Sequence, residues 1–190
     1  MDGLLVIADI TGYTAFLRES ELERAEDSLR SLPNLLLDHT RPPLVVSRLQ
    51  GNAVISYAPK GSFQQGQTLV ETIEHTYLAF RQALERMVIN TTCTCNACRN
   101  IPNLDLKFFV HYGTFMNQQL GSHVELVGAN VNLVFRLSKN TVNAKMGYSA
   151  YAMYTAAVAD AMDMGEICGS MTPHTESYED VGNVETFSRT

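Results

Sequence analysis

The sequence predicts an α+β domain with the element order βαββαβ and with the helices on one face of the sheet. Three observations support this prediction. Short apolar runs typical of strands alternate with two long stretches in which apolar residues recur at helical spacing. A Gly-Asn pair stands between two of the strand runs, as expected at a hairpin tip. The chain has 190 residues, of which 45% are hydrophobic, so residues 1–190 are expected to form one domain.

The first strand and first helix are predicted in the N-terminal fifth of the chain. Residues 4–8 are apolar throughout, which suits a central strand that ends at Asp9. After a turn, Ser20 and Glu23 have the spacing of a capping box, and Pro33 is expected to break the helix. The apolar residues that share one helical face are Leu22, Ala25, Leu29 and Leu32.

A hairpin and a second long helix follow. Residues 44–49 and 53–58 read as strands joined through Gly51 and Asn52 at the tip. Residues 69–88 keep the apolar spacing of a helix.

The remaining elements are a strand, its neighbour, helical segments and a final hairpin. A strand is predicted at residues 104–112 and its neighbour at residues 124–127. A helix is expected from Ala129, residues 148–162 are expected to be helical, and residues 175–188 are expected to form the last hairpin. Together the elements match the ferredoxin-like supersecondary unit.

Charge and hydropathy exclude several function classes. The formal net charge of −6 argues against a protein that binds a nucleic-acid backbone along its length. No apolar run is long enough to span a membrane, and the N-terminus lacks the basic region of a signal peptide. We therefore expect a cytoplasmic protein that binds neither nucleic acid nor membrane.

Three of the four cysteines, Cys93, Cys95 and Cys98, lie within six residues. Their spacing is not that of a secreted disulfide framework, so reduced thiols are expected. They can be unligated loop cysteines, or they can bind zinc with Cys168, His111 or a partner chain as the fourth ligand.

Three motifs occur in a familiar order. Residues 8–14 read Ala-Asp-Ile-Thr-Gly-Tyr-Thr, Gly51 and Asn52 form the hairpin tip, and residues 127–137 contain Asn132 and Arg136 four residues apart. These motifs resemble those of class III nucleotide cyclases, the adenylate and guanylate cyclases. The stretch from Cys93 to Asn140 looks more narrowly like an uncharacterised bacterial family related to these cyclases.

The resemblance implies a metal and phosphate site at the end of the first strand. Asp9, the backbone carbonyl of Ile10 and the residue at position 52 would bind two Mg²⁺ or Mn²⁺ ions. The backbone N–H groups around Thr11, Gly12 and Tyr13 would bind the phosphates of a nucleoside triphosphate.

Asn52 departs from the aspartate that the family has at this tip. An amide oxygen can bind a hard cation, but it lacks the charge of a second carboxylate. Asn52 is therefore a weak metal ligand, a turn asparagine beside Gly51, or a natural or introduced loss of the carboxylate.

The predicted helix from Ala129 would carry the groups that act on the substrate. The resemblance implies that Asn132 orients the ribose and that Arg136 stabilises charge developing at the α-phosphate. Lys139, one turn further on, is a candidate for an additional phosphate contact or a solvated helix lysine.

Arg48 and Glu125 occupy the positions at which the family selects the base. They match neither the adenine nor the guanine pattern. The donors of Arg48 can read a base edge that bears a carbonyl, so a pyrimidine nucleotide is a candidate, as in the cyclic UMP and cyclic CMP cyclases of antiphage defence. The alternative is a surface ion pair without a ligand.

In the family that the chain resembles, each active site takes residues from two protomers. The resemblance therefore implies a homodimer in which Asn132 and Arg136 of one chain reach Asp9 of the other. Three functions follow from these observations. The chain is a nucleotide cyclase that makes a 3′,5′-cyclic nucleotide and pyrophosphate, or a catalytically impaired module that binds nucleotide or a regulatory partner, or an interaction domain stapled by zinc.

Overall fold

The computed structural model describes residues 1–121 and 123–190, and most of its described strands belong to one large sheet. The strands are β1 (Asp2–Thr11), β2 (Val45–Gln50), β3 (Ala53–Pro59), β4 (Asp105–Thr114), β5 (Met116–Leu120), β6 (His123–Val127), β7 (Tyr151–Thr155), β8 (Thr172–Tyr178) and β9 (Gly182–Arg189). The helices are α1 (Tyr13–Glu19), α2 (Leu22–His39), α3 (Gly66–Ile89), α4 (Asn96–Asn100), α5 (Ala129–Leu137), α6 (Val142–Met146), α7 (Ala156–Ala161) and α8 (Gly165–Gly169). A 3-10 turn, Ile101–Asn103, connects α4 to β4.

The large sheet has the strand order β2-β3-β1-β4-β7-β9-β8. Strand β1 lies at its centre and pairs antiparallel with β3 and with β4, whereas β4 and β7 are parallel. The register places Asp9 opposite Ala53 on one side and opposite Lys107 on the other. The predicted hairpin, second helix, first strand, α5 and final hairpin are all present, and the α+β class is confirmed.

Both faces of the sheet are covered. On one face, Val6 and Ile10 of β1 pack with α2 and α3. On the other face, Leu5 and Ile7 pack with buried side chains of α5, including Val134. The expectation of helices on one face only was wrong, because successive residues of a central strand point to opposite faces and both sets are apolar here.

The first helical region differs from the prediction in two ways. Pro33 lies inside α2, which continues to His39. Burial of Leu32 and Leu36 on either side of it offsets the backbone hydrogen bond and the strain that proline costs a helix. Ser20 and Glu23 form no capping box: Ser20 ends α1, and Glu21 precedes α2 without a side-chain cap. The predicted apolar face includes buried Ala25 and Leu32; the side chains of Leu22 and Leu29 lie outside the described residues.

Two strand assignments also differ. Residues 151–155 form β7 rather than a helix, and α7 begins only afterwards. Four of the five β7 side chains are buried, and a short apolar run buried on both faces has no periodicity that separates strand from helix. Strand β6 pairs with β5 in a separate two-stranded sheet and not with β4.

Across the two described ranges, no helix is long and apolar enough to cross a membrane.

Candidate functional site

The end of β1 brings together the three residues predicted as metal ligands. The side-chain amide Nδ2 of Asn52 donates to Oδ1 of Asp9 at 2.6 Å and to the backbone carbonyl of Ile10 at 2.7 Å. The backbone N–H of Ile10 donates to the Asn52 carbonyl at 3.2 Å. These hydrogen bonds hold the hairpin tip against the end of the central strand. We call the cluster of Asp9, Ile10, Asn52 and Lys107, which pairs with Asp9 across the sheet, the Asp9 corner.

The orientation of the Asn52 amide follows from its partners. A carbonyl and an ionised carboxylate only accept hydrogen bonds, so the nitrogen of the amide must face both. The amide N–H₂ group therefore occupies the point at which two oxygen ligands converge, which is where a hard cation would bind.

The residues of this corner fit one divalent cation but not two. The Asp9 carboxylate and the Ile10 carbonyl offer two oxygens, and Asn52 can add a third only by turning its amide oxygen inward. Among the described residues, no group of three acidic or histidine side chains gathers at this corner. Position 52, where the resemblance implies a second carboxylate, carries a neutral amide.

Lys107 is a member of the corner that the sequence did not reveal. It lies opposite Asp9 in the β1–β4 register, and its Nζ lies 5.0 Å from the centre of the Tyr151 ring. Burial raises the pKa of Asp9, and the positive charge of Lys107 and the hydrogen bond from Asn52 oppose this rise. Burial likewise lowers the pKa of Lys107, and the negative charges of Asp9 and Asp105 oppose this decrease. Partial burial thus pushes both groups towards their neutral forms.

The predicted phosphate loop follows the Asp9 corner directly. Gly12 has a φ of 82°, which favours glycine, and a Cβ there would lie 2.8 Å from the backbone carbonyl of Asn103. The loop therefore packs against the 3-10 turn before β4. The hydroxyl of Thr11 is buried and has no hydrogen-bond partner within the described part of the chain. Tyr13 begins α1.

The two predicted base-selecting residues meet in a second cluster. The guanidinium of Arg48 donates to the Glu125 carboxylate, and its Cζ lies 5.5 Å from the centre of the Phe135 ring. Their side chains are 36% and 28% exposed. We call Arg48, Glu125 and Phe135 the Arg48 corner; it joins the edge strand β2, the small sheet and α5.

The side chains predicted to act on the ribose and the phosphates lie on α5, Asn132 and Arg136, and two residues after its end, Lys139. Asn132 and Lys139 are exposed, whereas Val131 and Val134 of the same segment are buried. Arg136 donates to the Asp180 carboxylate at 2.7 Å, in the turn between β8 and β9, a partner that sequence reasoning missed. No hydrogen bond or ion pair between described residues links these three predicted residues to the Asp9 corner.

A buried histidine fixes the start of α5. The Asn130 amide nitrogen donates to the Thr114 carbonyl, so the Asn130 oxygen faces Nε2 of His111 at 3.0 Å. Nε2 therefore carries the proton, and Nδ1 accepts from the Thr155 hydroxyl at 2.9 Å. Burial lowers the pKa of His111. With both nitrogens occupied, His111 is not the fourth ligand of the cysteine cluster.

The cysteine cluster lies at the start of α4. The sulfurs of Cys93, Cys95 and Cys98 all lie within 4.8 Å of one another, and Cys168 is buried elsewhere and does not belong to the group. The close spacing in the sequence was the signal that predicted this cluster.

Nucleotide cyclase domains share this fold. A bacterial light-regulated adenylyl cyclase superposes with a TM-score of 0.70 at 15% identity, covering 98% of this chain and 50% of that one. The guanylyl cyclase Cya2 gives 0.69 at 14% identity, covering 99% and 91%. The guanylate cyclase domain of RhGC from Catenaria anguillulae, in complex with GTP, gives 0.65 at 15% identity, covering 100% and 96%. At these identities the similarity shows the fold alone.

Sequence comparison identifies the family. An "Uncharacterized protein Rv2561/Rv2562" of Mycobacterium tuberculosis is 30% identical over 141 residues, which make up 74% of this chain and 63% of that protein. The chain thus matches less than two thirds of that relative's length. Residues 29–147 match the family described as "Protein of unknown function (DUF2652)". Because this match covers more than half of the 190 residues, the chain belongs to the DUF2652 family.

Proposed function

We propose that this protein is a nucleotide cyclase that converts a nucleoside triphosphate into a 3′,5′-cyclic nucleotide and pyrophosphate. The ribose 3′-oxygen would form a bond to the α-phosphorus, the bond to the β-phosphate would break, and the 3′-hydroxyl proton would be released. The observation that carries this proposal is the convergence of Asp9, the Ile10 carbonyl and Asn52 at the end of the central strand. It lies within a fold shared with cyclase catalytic domains.

The Asp9 corner would bind the charged end of the substrate. A divalent ion, Mg²⁺ or Mn²⁺, held by the Asp9 carboxylate and the Ile10 carbonyl would offset triphosphate charge and make the 3′-hydroxyl easier to deprotonate. Lys107 supplies a half-buried positive charge beside Asp9. The backbone of Thr11, Gly12 and Tyr13 would bind phosphate oxygens, with the unpartnered Thr11 hydroxyl as a further donor.

A second copy of the chain would complete the site. Asn132 and Arg136 are at least partly exposed on α5, and the described contacts of one chain do not connect them to Asp9. In a two-fold symmetric homodimer, each α5 would reach the Asp9 corner of its partner. Arg136 would exchange Asp180 for the α-phosphate, Asn132 would orient the ribose, and Lys139 would add a phosphate contact.

The Arg48 corner would select the base. Arg48 offers hydrogen-bond donors, Glu125 offers acceptors, and the Phe135 ring lies beneath the guanidinium. Donors suit the carbonyl edge of a pyrimidine, so UTP or CTP is the proposed substrate, with cyclic UMP or cyclic CMP as the product.

A second candidate function rests on the Asn52 amide. It already satisfies both oxygens at which a cation would bind, and a neutral amide cannot replace the missing carboxylate. A protein of this design can bind nucleotide without turning it over, as a regulatory module.

One experiment separates the two candidates. Cyclic product is measured with ATP, GTP, CTP and UTP separately in Mn²⁺, for the native chain, Asn52→Asp, Asp9→Ala and the double variant Asp9→Ala/Asn52→Asp. Asn34→Asp, in the exposed surface of α2, adds the same charge elsewhere and serves as the control. Nucleotide binding is measured in parallel by calorimetry.

Under the cyclase proposal, Asn52→Asp raises turnover at least tenfold, Asn34→Asp leaves it unchanged, and the double variant abolishes it. If neither the native chain nor Asn52→Asp makes any cyclic product while both bind a nucleotide, the regulatory module replaces the cyclase. If no nucleotide binds to any variant, both candidates are rejected.

A further inference from the structure

The cysteine cluster has the geometry of a metal site. The three sulfurs lie within 4.8 Å of one another, and Cys95 Sγ lies 3.4 Å from Cys98 Sγ. Tetrahedral zinc with bonds of about 2.3 Å to sulfur needs sulfurs roughly 3.8 Å apart. The widest pair would close by about 1 Å and the Cys95–Cys98 pair would open by about 0.4 Å. Rotation of the exposed Cys93 side chain and of the half-buried Cys95 and Cys98 side chains can supply these changes.

The local backbone explains why the sulfurs meet. Cys95 immediately precedes α4, and Cys98 stands three residues later, one turn along the same helix. The backbone N–H of Cys95 donates to Cys93 Sγ at 3.4 Å, which folds the preceding residues back over the helix start. The motif Cys-x-Cys-x-x-Cys is thus arranged by one helical turn and one backbone hydrogen bond.

Hydrogen bonds link neighbouring members of the cysteine cluster. Hydrogen bonds from the backbone of Cys98 and from the neighbouring thiols lower the pKa of Cys95. The hydrogen bond with Cys95 is the largest cause that raises the pKa of Cys98, to about 11. A bound cation would favour the thiolate form of all three cysteines.

We propose that Cys93, Cys95 and Cys98 bind one Zn²⁺ as thiolates, with water as the fourth ligand. Three thiolates select zinc over the hard cations Mg²⁺ and Mn²⁺, so this site and the Asp9 corner take different metals. Binding releases the thiol protons to solvent and requires no oxidant or reductant. The site does not depend on the proposed cyclase function.

The position of the cluster gives the metal a structural consequence. Glu21, at the start of α2, accepts hydrogen bonds from the Asn96 side chain at 3.1 Å and from the Ala97 backbone at 3.3 Å. The 3-10 turn after α4 places the Asn103 carbonyl against Gly12. Zinc would therefore brace α4 and, through it, the loop around Gly12 that the proposed function assigns to phosphate.

Metal content tests the site directly. The full chain, purified under reducing conditions, is loaded with Zn²⁺ and desalted, and zinc is counted by mass spectrometry beside a Co²⁺-loaded sample examined by absorption. The native chain and Cys168→Ala are expected to hold about one zinc per chain and to show sulfur-to-cobalt charge-transfer bands. Cys95→Ser/Cys98→Ser is expected to lose at least tenfold in zinc affinity and to lose the bands. Circular dichroism checks that each variant is folded.

Two results would overturn the zinc site. One is the same zinc content in the native chain and in the folded Cys95→Ser/Cys98→Ser variant. The other is a native chain that forms a Cys95–Cys98 disulfide in air and takes up no zinc after reduction.

The effect of zinc on the Gly12 loop is measured separately. Zinc is expected to slow hydrogen exchange at the backbone amides of residues 11–13 and 103 in the native chain and in Cys168→Ala, but not in Cys95→Ser/Cys98→Ser. Zinc uptake without slower exchange would refute the brace.

Discussion

The Asp9 corner and the Arg48 corner are both paired within the chain, but different forces hold them. The Asp9 corner lies at the end of the central strand, where backbone ladders on two sides fix Asp9 beside the Asn52 tip and Lys107. The Arg48 corner depends on one ion pair between the edge strand β2 and the two-stranded sheet, with both side chains about one third exposed.

The difference determines what a ligand must overcome at each corner. A surface ion pair contributes about 0–1 kcal/mol, so under the proposed function a base would displace Glu125 from this partly exposed pair with little loss of free energy. A hydrogen bond to a charged group contributes about 1.5–3 kcal/mol, and a cation at Asp9 must displace the Asn52 amide from such a bond. Under the proposed function, a base would therefore meet less resistance at the Arg48 corner than a cation would meet at the Asp9 corner.

The largest predicted effect comes from the loop beside the Asp9 corner. We expect Gly12→Ala to lower the free energy of unfolding by about 3 kcal/mol, because the new Cβ meets both a positive φ and the Asn103 carbonyl. Gly51→Ala is the matched control, with a φ of 61° and nothing within 4 Å of its Cβ, and should cost about 1 kcal/mol. Chemical denaturation measures the free energy of unfolding of both variants. Equal losses of stability would mean that the positive φ alone causes the destabilisation and that the loop is not packed against the 3-10 turn.

The second prediction concerns the charges within the Asp9 corner. Lys107→Met should raise the pKa of Asp9 further, since burial already raises it and the Lys107 charge is the largest opposing cause. A carboxyl whose pKa is raised in the folded state contributes stability at acid pH that is lost as the pH rises through that pKa. The variant should therefore lose about 1–2 kcal/mol at neutral pH and less in acid.

Carbon NMR of the Asp9 carboxyl over a pH series measures this shift, and denaturation at each pH measures the stability. Lys139→Met, which removes an exposed lysine, is the control and should change neither quantity. A pKa of Asp9 that stays the same or falls in Lys107→Met would show that the two groups do not interact across the strands.

The sequence predicted the contacts that depend on local structure. The strand pattern placed Asp9 at a strand end and the hairpin pattern placed Asn52 at a tip, and the resemblance to class III cyclases implied that the two meet. The cysteine cluster was predicted from the sequence because its three members lie within six residues of the chain. Short-range geometry is encoded in a few neighbouring residues.

Contacts that depend on distant register were not predictable. Lys107 meets Asp9 only through the pairing of strands almost 100 residues apart, and Arg136 meets Asp180 through a turn of the last hairpin. Strand β7 was mistaken for a helix because a strand buried on both faces carries no alternation. Sequence patterns report burial, and they do not report which distant segment covers a given side chain.

The smallest predicted effect lies in the Arg48 corner and completes the comparison. A double-mutant cycle with Arg48→Gln and Glu125→Gln should give a coupling of about 0.2–1 kcal/mol, which falls in 0.5 M salt because the pair is partly exposed. A parallel cycle with Asp9→Ala and Asn52→Ala should give a larger coupling that changes little with salt, since one partner is neutral and the contact is half-buried. If the Arg48–Glu125 coupling equals or exceeds the Asp9–Asn52 coupling, the Arg48 corner is as rigid as the Asp9 corner, and a base cannot open it at low energetic cost.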